Sequence, residues 1–194
     1  MLDALKRHAE RFRYYNKITG MSKIIRRYFV MNSFDGALTI FGLLLGSFVA
    51  GVKDPLLIES IGFGTAIAIG FSGLAGALFT ERAERIREVK KMEKALHRKL
   101  DNTDYKKAYD FASMVTAFVD GVSPMLVAFV LLLPFFLMPI ADAYYLSFGM
   151  ALAIFFLLGA FLGKIARESL VAMGLKFLAA GILCMVVILL LSQI

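Results

Sequence analysis

From Tyr28 to Val52 the chain reads YFVMNSFDGALTIFGLLLGSFVAGV, an apolar stretch with a single charged side chain, Asp35. Wound as a helix at about 1.5 Å per residue it extends about 37 Å, enough to cross a hydrocarbon core of roughly 30 Å with some tilt. Four more such stretches follow, at about 55–79, 111–138, 143–163 and 170–191. A chain of 194 residues that repeats this pattern has little length left for a soluble core, and its 59% hydrophobic content lies above that of an ordinary soluble domain. The fold class expected is an all-α integral membrane protein with five transmembrane helices, because helices satisfy their own backbone groups in lipid.

Charge sets the expected orientation. Eight of the 22 Lys and Arg residues fall in residues 1–34, ten in 81–110 and two in 164–169, against Lys53 alone on the other side and Lys176 within the last stretch. The positive-inside rule then places the N-terminus in the cytoplasm and the C-terminus outside. Residues 1–18 set Leu2, Leu5, Ala9, Phe12 and Tyr15 at helical spacing, with Lys6, Arg7, Arg11 and Arg13 around them. This is the pattern of a basic amphipathic helix on an anionic bilayer surface, with no motif for nucleic acid. The same segment lacks an apolar core and a small-residue cleavage site, so no signal peptide is expected. The single cysteine, Cys184, lies in an apolar run and has no internal partner. The organisation expected is an amphipathic segment over 1–27, helices one and two over 28–80, a cytoplasmic helical insert over 81–110, and helices three to five over 111–194.

Against this apolar background a few polar groups stand out. A charged Asp near a bilayer centre costs about 2.5–3.5 kcal/mol on insertion scales, so Asp35 is expected to face protein or water and to serve a function. Asp35, Thr39, Gly42, Gly46 and Ala50 share one helix face, and small residues four apart let two helices approach closely. Met31, four residues before Asp35, can add a thioether to that site. The second stretch carries Ala66, Gly70, Gly73 and Ala77, and its stripe extends past the membrane as Glu81, Glu84 and Glu88. Carboxylates at such spacing can share one divalent cation, although Arg82, Arg85, Arg87, Lys90 and Lys91 interleave as they do on a solvated helix. The third stretch holds a second Asp-Gly pair, Asp120-Gly121, and Pro124 has no N–H to give the Asp120 carbonyl. A backbone oxygen beside a carboxylate, on a helix locally broken at membrane depth, is a way transporters build cation sites. Asp35-Gly36 precedes Gly76-Ala77 at about the distance that Asp120-Gly121 precedes Gly159-Ala160, which suggests a parallel repeat of two hairpins.

The order of three segments, FDGALTIFGLLLGSFVAG at 34–51, GLAGALFTERAERIRE at 73–88 and VDGVSPMLVAFVLLLPFF at 119–136, resembles the vacuolar iron transporter family over residues 28–194. The resemblance is to a short, prokaryotic-type member with a reduced cytoplasmic insert, in which ten basic residues outnumber seven acidic ones. It implies a homodimer in a prokaryotic cell membrane that exchanges divalent iron, or manganese, for protons along a path between subunits. Asp35 would match the intramembrane carboxylate of the first helix, and Glu81 and Glu84 the acids where the second helix leaves the membrane.

The function expected is therefore divalent metal/proton antiport out of the cytoplasm, without a resident cofactor. Asp35 and Asp120 bind the cation, Met31 assists, and Glu81 and Glu84 form its cytoplasmic mouth. Metal and proton compete for the same carboxylate oxygens, and that competition is the coupling. Two alternatives stand beside it. A non-transporting membrane scaffold or lipid-binding protein would use the basic N-terminal arm. A membrane phosphotransferase also opens its motif with Asp-Gly, but it needs further Asp residues at three-residue gaps, and none follow Asp35 or Asp120, so no enzyme is expected.

Overall fold

The computed structural model describes residues 2–101 and 103–192, with side chains from Glu10 onward except Arg11. The placement of Leu2, Leu5, Ala9, Lys6, Arg7 and Arg11 around the first helix, and Asn102 within the insert, lie outside what it describes. Six helices follow in order: α1 (Leu2–Thr19), α2 (Met21–Val49), α3 (Pro55–Leu96), α4 (Asp104–Leu137), α5 (Ile140–Ala166) and α6 (Leu170–Leu191). Among the described residues there is no strand. α2 to α6 are each long and apolar enough to cross a membrane.

The joints explain the boundaries. Gly20 takes a left-handed conformation at φ 63°, which stops α1, and the side-chain oxygen of Asn16 accepts the Ser22 N–H at 2.8 Å and also its hydroxyl, so α2 restarts at once. The first membrane helix thus begins at Met21, seven residues before the apolar stretch, because Lys23, Arg26 and Arg27 are good helix formers. Asp54 accepts the Leu56 N–H at 3.0 Å just ahead of Pro55, a residue suited to the first helical position. α3 is unbroken and runs for 42 residues, about 63 Å by helical rise, so it is about twice as long as a hydrocarbon core is thick. It stops at Leu96, because His97 turns left-handed at φ 50° and Glu93 takes the Leu100 N–H at 2.9 Å. Thr103 then caps α4.

α4 corrects one expectation. Pro124 and Pro134 both lie inside it, yet the helix continues from Asp104 to Leu137 and is not interrupted at Asp120. A proline removes one donor and crowds one carbonyl, and neighbouring turns hold the helix across that single missing bond.

The chain divides into two compact units, and α2, α3 and α4 contribute a segment to each. One unit comprises residues up to Phe29 together with Phe71–Val122. Its small core is Tyr15, Met21, Ala108 and Ala112, where two alanines one turn apart on α4 make room for the tyrosine ring. Tyr15 and Phe12 also meet Phe111, at ring centroid distances of 5.5 and 6.5 Å. The apolar side of α1 is thus partly used up on protein, a contact that amphipathicity alone assigns to lipid.

The other unit comprises Val30–Gly70 and Ser123–Ile194. Phe41 stands at its centre, edge-on to Phe148 and Phe155 at 5.7 Å each, with Ile40, Leu44, Leu131 and Leu132 fully buried around it. Lipid tails are as apolar as leucine, so close packing and hydrogen bonds, not transfer from water, hold such helices together. Ser147 gives its hydroxyl to the Leu131 carbonyl at 2.8 Å, and Tyr144 gives its own to Val52 at 3.2 Å. Glycines set the closest approaches. A Cβ on Gly36 would lie 2.6 Å from the backbone of Pro124, and one on Gly159 would lie 2.5 Å from the Met173 carbonyl oxygen. α5 and α6 form an antiparallel pair closed by Arg167, left-handed at φ 59°, with Ser169 capping α6. Gly174 and Gly181 are the close-packing positions of α6, against Phe156 and Phe155. On α5 the small residues divide: Gly159 and Gly163 are buried, while Gly149 and Ala153 are exposed.

Candidate functional site

Three polar clusters lie on these helices. The first is on α2, where Met31, Asp35, Thr39, Gly46 and Ala50 are all exposed on the single chain and Gly42 is half-buried. Thr39 turns its hydroxyl back to the Asp35 backbone carbonyl at 2.8 Å, so it does not engage the carboxylate. Gly36, next to Asp35, is the residue pressed on Pro124 of α4. One side of the Asp-Gly pair therefore seats the helix, and the acid stands on an outer face that an apolar helix would ordinarily give to lipid.

The second cluster surrounds Asp120, which is 8% exposed. Its carbonyl oxygen and its Oδ2 each lie 3.1 Å from where a Cβ of Gly73 would be. Gly73 is thus the opening in α3 through which α4 brings an acid and a carbonyl to the same place, and a larger residue there would meet both oxygens. Thr116, one turn earlier on α4, is fully buried with its hydroxyl on the Ala112 carbonyl at 2.7 Å.

The third cluster lies where α3 turns from apolar to charged. Glu81 is half-buried and accepts the phenolic proton of Tyr28 at 2.9 Å. Its other oxygen lies 3.3 Å from Nη2 of Arg85, one turn on, an arginine only 5% exposed. The Arg85 guanidinium also rests over the ring of Tyr109, 5.3 Å from its centroid. Glu84 behaves differently: it is exposed and pairs with Arg87 at 3.7 Å, with both side chains about two-thirds in solvent. Glu88 is exposed as well. The inner stripe of α3 descends by steps of four through Ala77, Glu81, Arg85 and Val89, so Glu84 and Glu88 fall off it.

Of the residues picked out by sequence, Asp35 and Met31 share one exposed face, Asp120 is buried against Gly73, and Glu81 is engaged by Tyr28 and Arg85 while Glu84 is not. Among the described residues no three His, Cys, Asp or Glu side chains gather in a way that would hold a metal ion. Arg85, Tyr28 and Tyr109 escaped the sequence reading. The signal for Arg85 was its spacing: it lies four residues after Glu81 and four before Val89, on the stripe already followed to Ala77.

An all-helical chain with five helices long and apolar enough to cross a membrane is consistent with a multi-pass integral membrane protein. No family model matches it. It is 36% identical over 180 residues to uncharacterized protein MJ0645 of Methanocaldococcus jannaschii, an alignment covering 89% of this chain and 92% of that protein. The chain belongs to the same family as that protein.

Proposed function

We propose that this protein is a divalent metal cation transporter, carrying iron or manganese out of a prokaryotic cytoplasm in exchange for protons, and that it works as a homodimer. The observation that carries the reading is the exposed Asp35 on α2. A carboxylate on the outer face of a membrane-spanning helix is costly unless protein, water or an ion meets it. A second copy docked on that face supplies the protein: the exposed small residues Gly46 and Ala50 permit close approach, while Gly42 faces Ile188 of its own chain, and two Asp35 carboxylates with two Met31 thioethers then line one path. Asp120 adds a buried carboxylate with a backbone oxygen beside it. Oxygen donors of this kind suit a hard divalent ion, and protonation of the same oxygens releases it, which is the basis of exchange. Glu81, held between Tyr28 and Arg85, is the acid at the charged end of the path, and Glu84 is a peripheral one. The resemblance of segments 34–51, 73–88 and 119–136 to the vacuolar iron transporter family supports the same reading, as does the placing of basic residues at one side of the expected topology.

The test is ferrous iron and manganese flux into proteoliposomes that hold an internal pH dye. Wild-type protein is expected to move metal with opposing proton movement, and Asp35→Asn to insert and fold but carry none. Folded, inserted protein that moves neither metal overturns the reading in favour of a membrane scaffold.

A further inference from the structure

Beside the third cluster, α3, the segment after it and the start of α4 enclose a cavity of about 440 Å³. That is within the range that small-molecule sites occupy. Five cationic side chains line it, Arg82, Arg85, Lys90, Lys99 and Lys106, against the carboxylates of Glu93, Asp101 and Asp110. Two of those carboxylates are already committed: Asp101 to Lys106 by an ion pair, and Glu93 to the Leu100 N–H. Among the described residues Arg82, Lys90 and Lys99 have no carboxylate at ion-pair distance, so the cavity is cationic on balance.

The deciding feature is Arg85. It lines the cavity, is only 5% exposed, and its buried Nε and Nη2 have no hydrogen-bond acceptor; Glu81 lies within ion-pair distance of Nη2 but out of hydrogen-bonding geometry. A guanidinium cannot shed its charge, and a buried charged donor without an acceptor is strongly disfavoured. Its planar fork suits an oxyanion that accepts two bonds at once. Lysines from α3 and from the segment beyond it add point charges from other directions, an arrangement that suits the tetrahedral oxygens of phosphate better than a flat carboxylate.

We propose that this cavity is a binding site for a phosphate group, either free phosphate or a small phosphomonoester, or the headgroup of a phosphate-bearing lipid, with Arg85 as its buried anchor and Lys90 and Lys99 as its rim. The site borders the proposed metal path through the Glu81–Arg85 pair, and its test reads phosphate binding rather than metal flux, so either reading can fail without the other. The test uses the full chain in nanodiscs of phosphatidylcholine, with orthophosphate followed by phosphorus NMR line broadening. Saturable binding is expected, weakened about tenfold by Lys99→Ala and abolished by Arg85→Met, since one charge-assisted contact is worth that factor or more. Lys99 is exposed, so its variant keeps the test open should Arg85→Met fail to fold. Nanodiscs doped with phosphatidic acid separate the two sources: competition by the lipid assigns the site to a headgroup, and undiminished phosphate binding assigns it to a soluble anion. Absence of saturable binding in either disc, or binding that Lys99→Ala and Arg85→Met leave unchanged, overturns the proposal.

Discussion

At the scale of single residues, the pair Glu81 and Arg85 shows how buried charges hold each other in place. Both side chains are well buried, at 14% and 6% exposure, so removing one partner strands the other. Glu81→Met is expected to destabilise the protein by about 3 kcal/mol or more, and Glu81→Met with Arg85→Met to recover most of that loss, because an apolar pair of similar volume replaces a buried ion pair at little cost. Thermal unfolding of the four proteins of that cycle in one detergent checks it. Asp101 gives a prediction about pH. The hydrogen bond from the Lys106 ammonium, and then its charge, hold this exposed carboxyl below the ordinary carboxylate range. Since the folded value is the lower one, the contact stabilises the fold above the unfolded carboxyl value and is lost as pH falls through the folded one. The Asp101 carboxyl carbon, followed by NMR, is expected to titrate below a normal aspartate and to return to the normal range in Lys106→Ala. Sequence alone did not separate Arg85 from Arg82 and Arg87, since an arginine in a mixed-charge helix reads as solvated surface, and only the register of the stripe distinguishes them.

Among elements, the five long apolar helices were legible because the bilayer imposes a length that no soluble helix has to meet. Their ends were less so. α2 starts before its apolar stretch and α3 stops before the polar run that follows it, each for a reason that sits in one residue: Asn16 bonding the start of α2, and His97 in a left-handed turn. The continuity of α4 through Pro124 was not legible, because the hydrogen bonds that carry a helix past a proline lie on its neighbouring turns. What could be read as a broken helix is instead a close crossing, with Gly36 of α2 pressed on the Pro124 backbone. Gly36→Ala places a methyl group 2.6 Å from that backbone, and is expected to destabilise by about 1–3 kcal/mol, the usual cost of overpacking. Gly46→Ala, whose Cβ meets nothing within 4 Å, is the matched control and is expected to leave the unfolding temperature of the solubilised monomer unchanged.

For the whole molecule, the proposed dimer rests on the outer face of α2. With Cys184 replaced by Ala, Gly46→Cys is expected to form a disulfide-linked dimer in oxidised membranes, and Leu175→Cys, exposed on α6, is expected not to. Cross-linking at both positions alike, or at neither, speaks against a dimer through α2. α6 itself has a further consequence. Of its 22 residues only Gly174 and Gly181 are buried, and everything else on it is half-buried or open. Where α6 faces outward, lipid asks only that it be apolar, so those letters carry almost no information and drift is free to rewrite them with any of several aliphatic residues, whereas Phe177 and Ile188 are held against Phe34 and Gly42. Two related chains can therefore disagree along the outward side of this helix and still share it, provided each keeps a glycine where Phe156 and Phe155 come to rest.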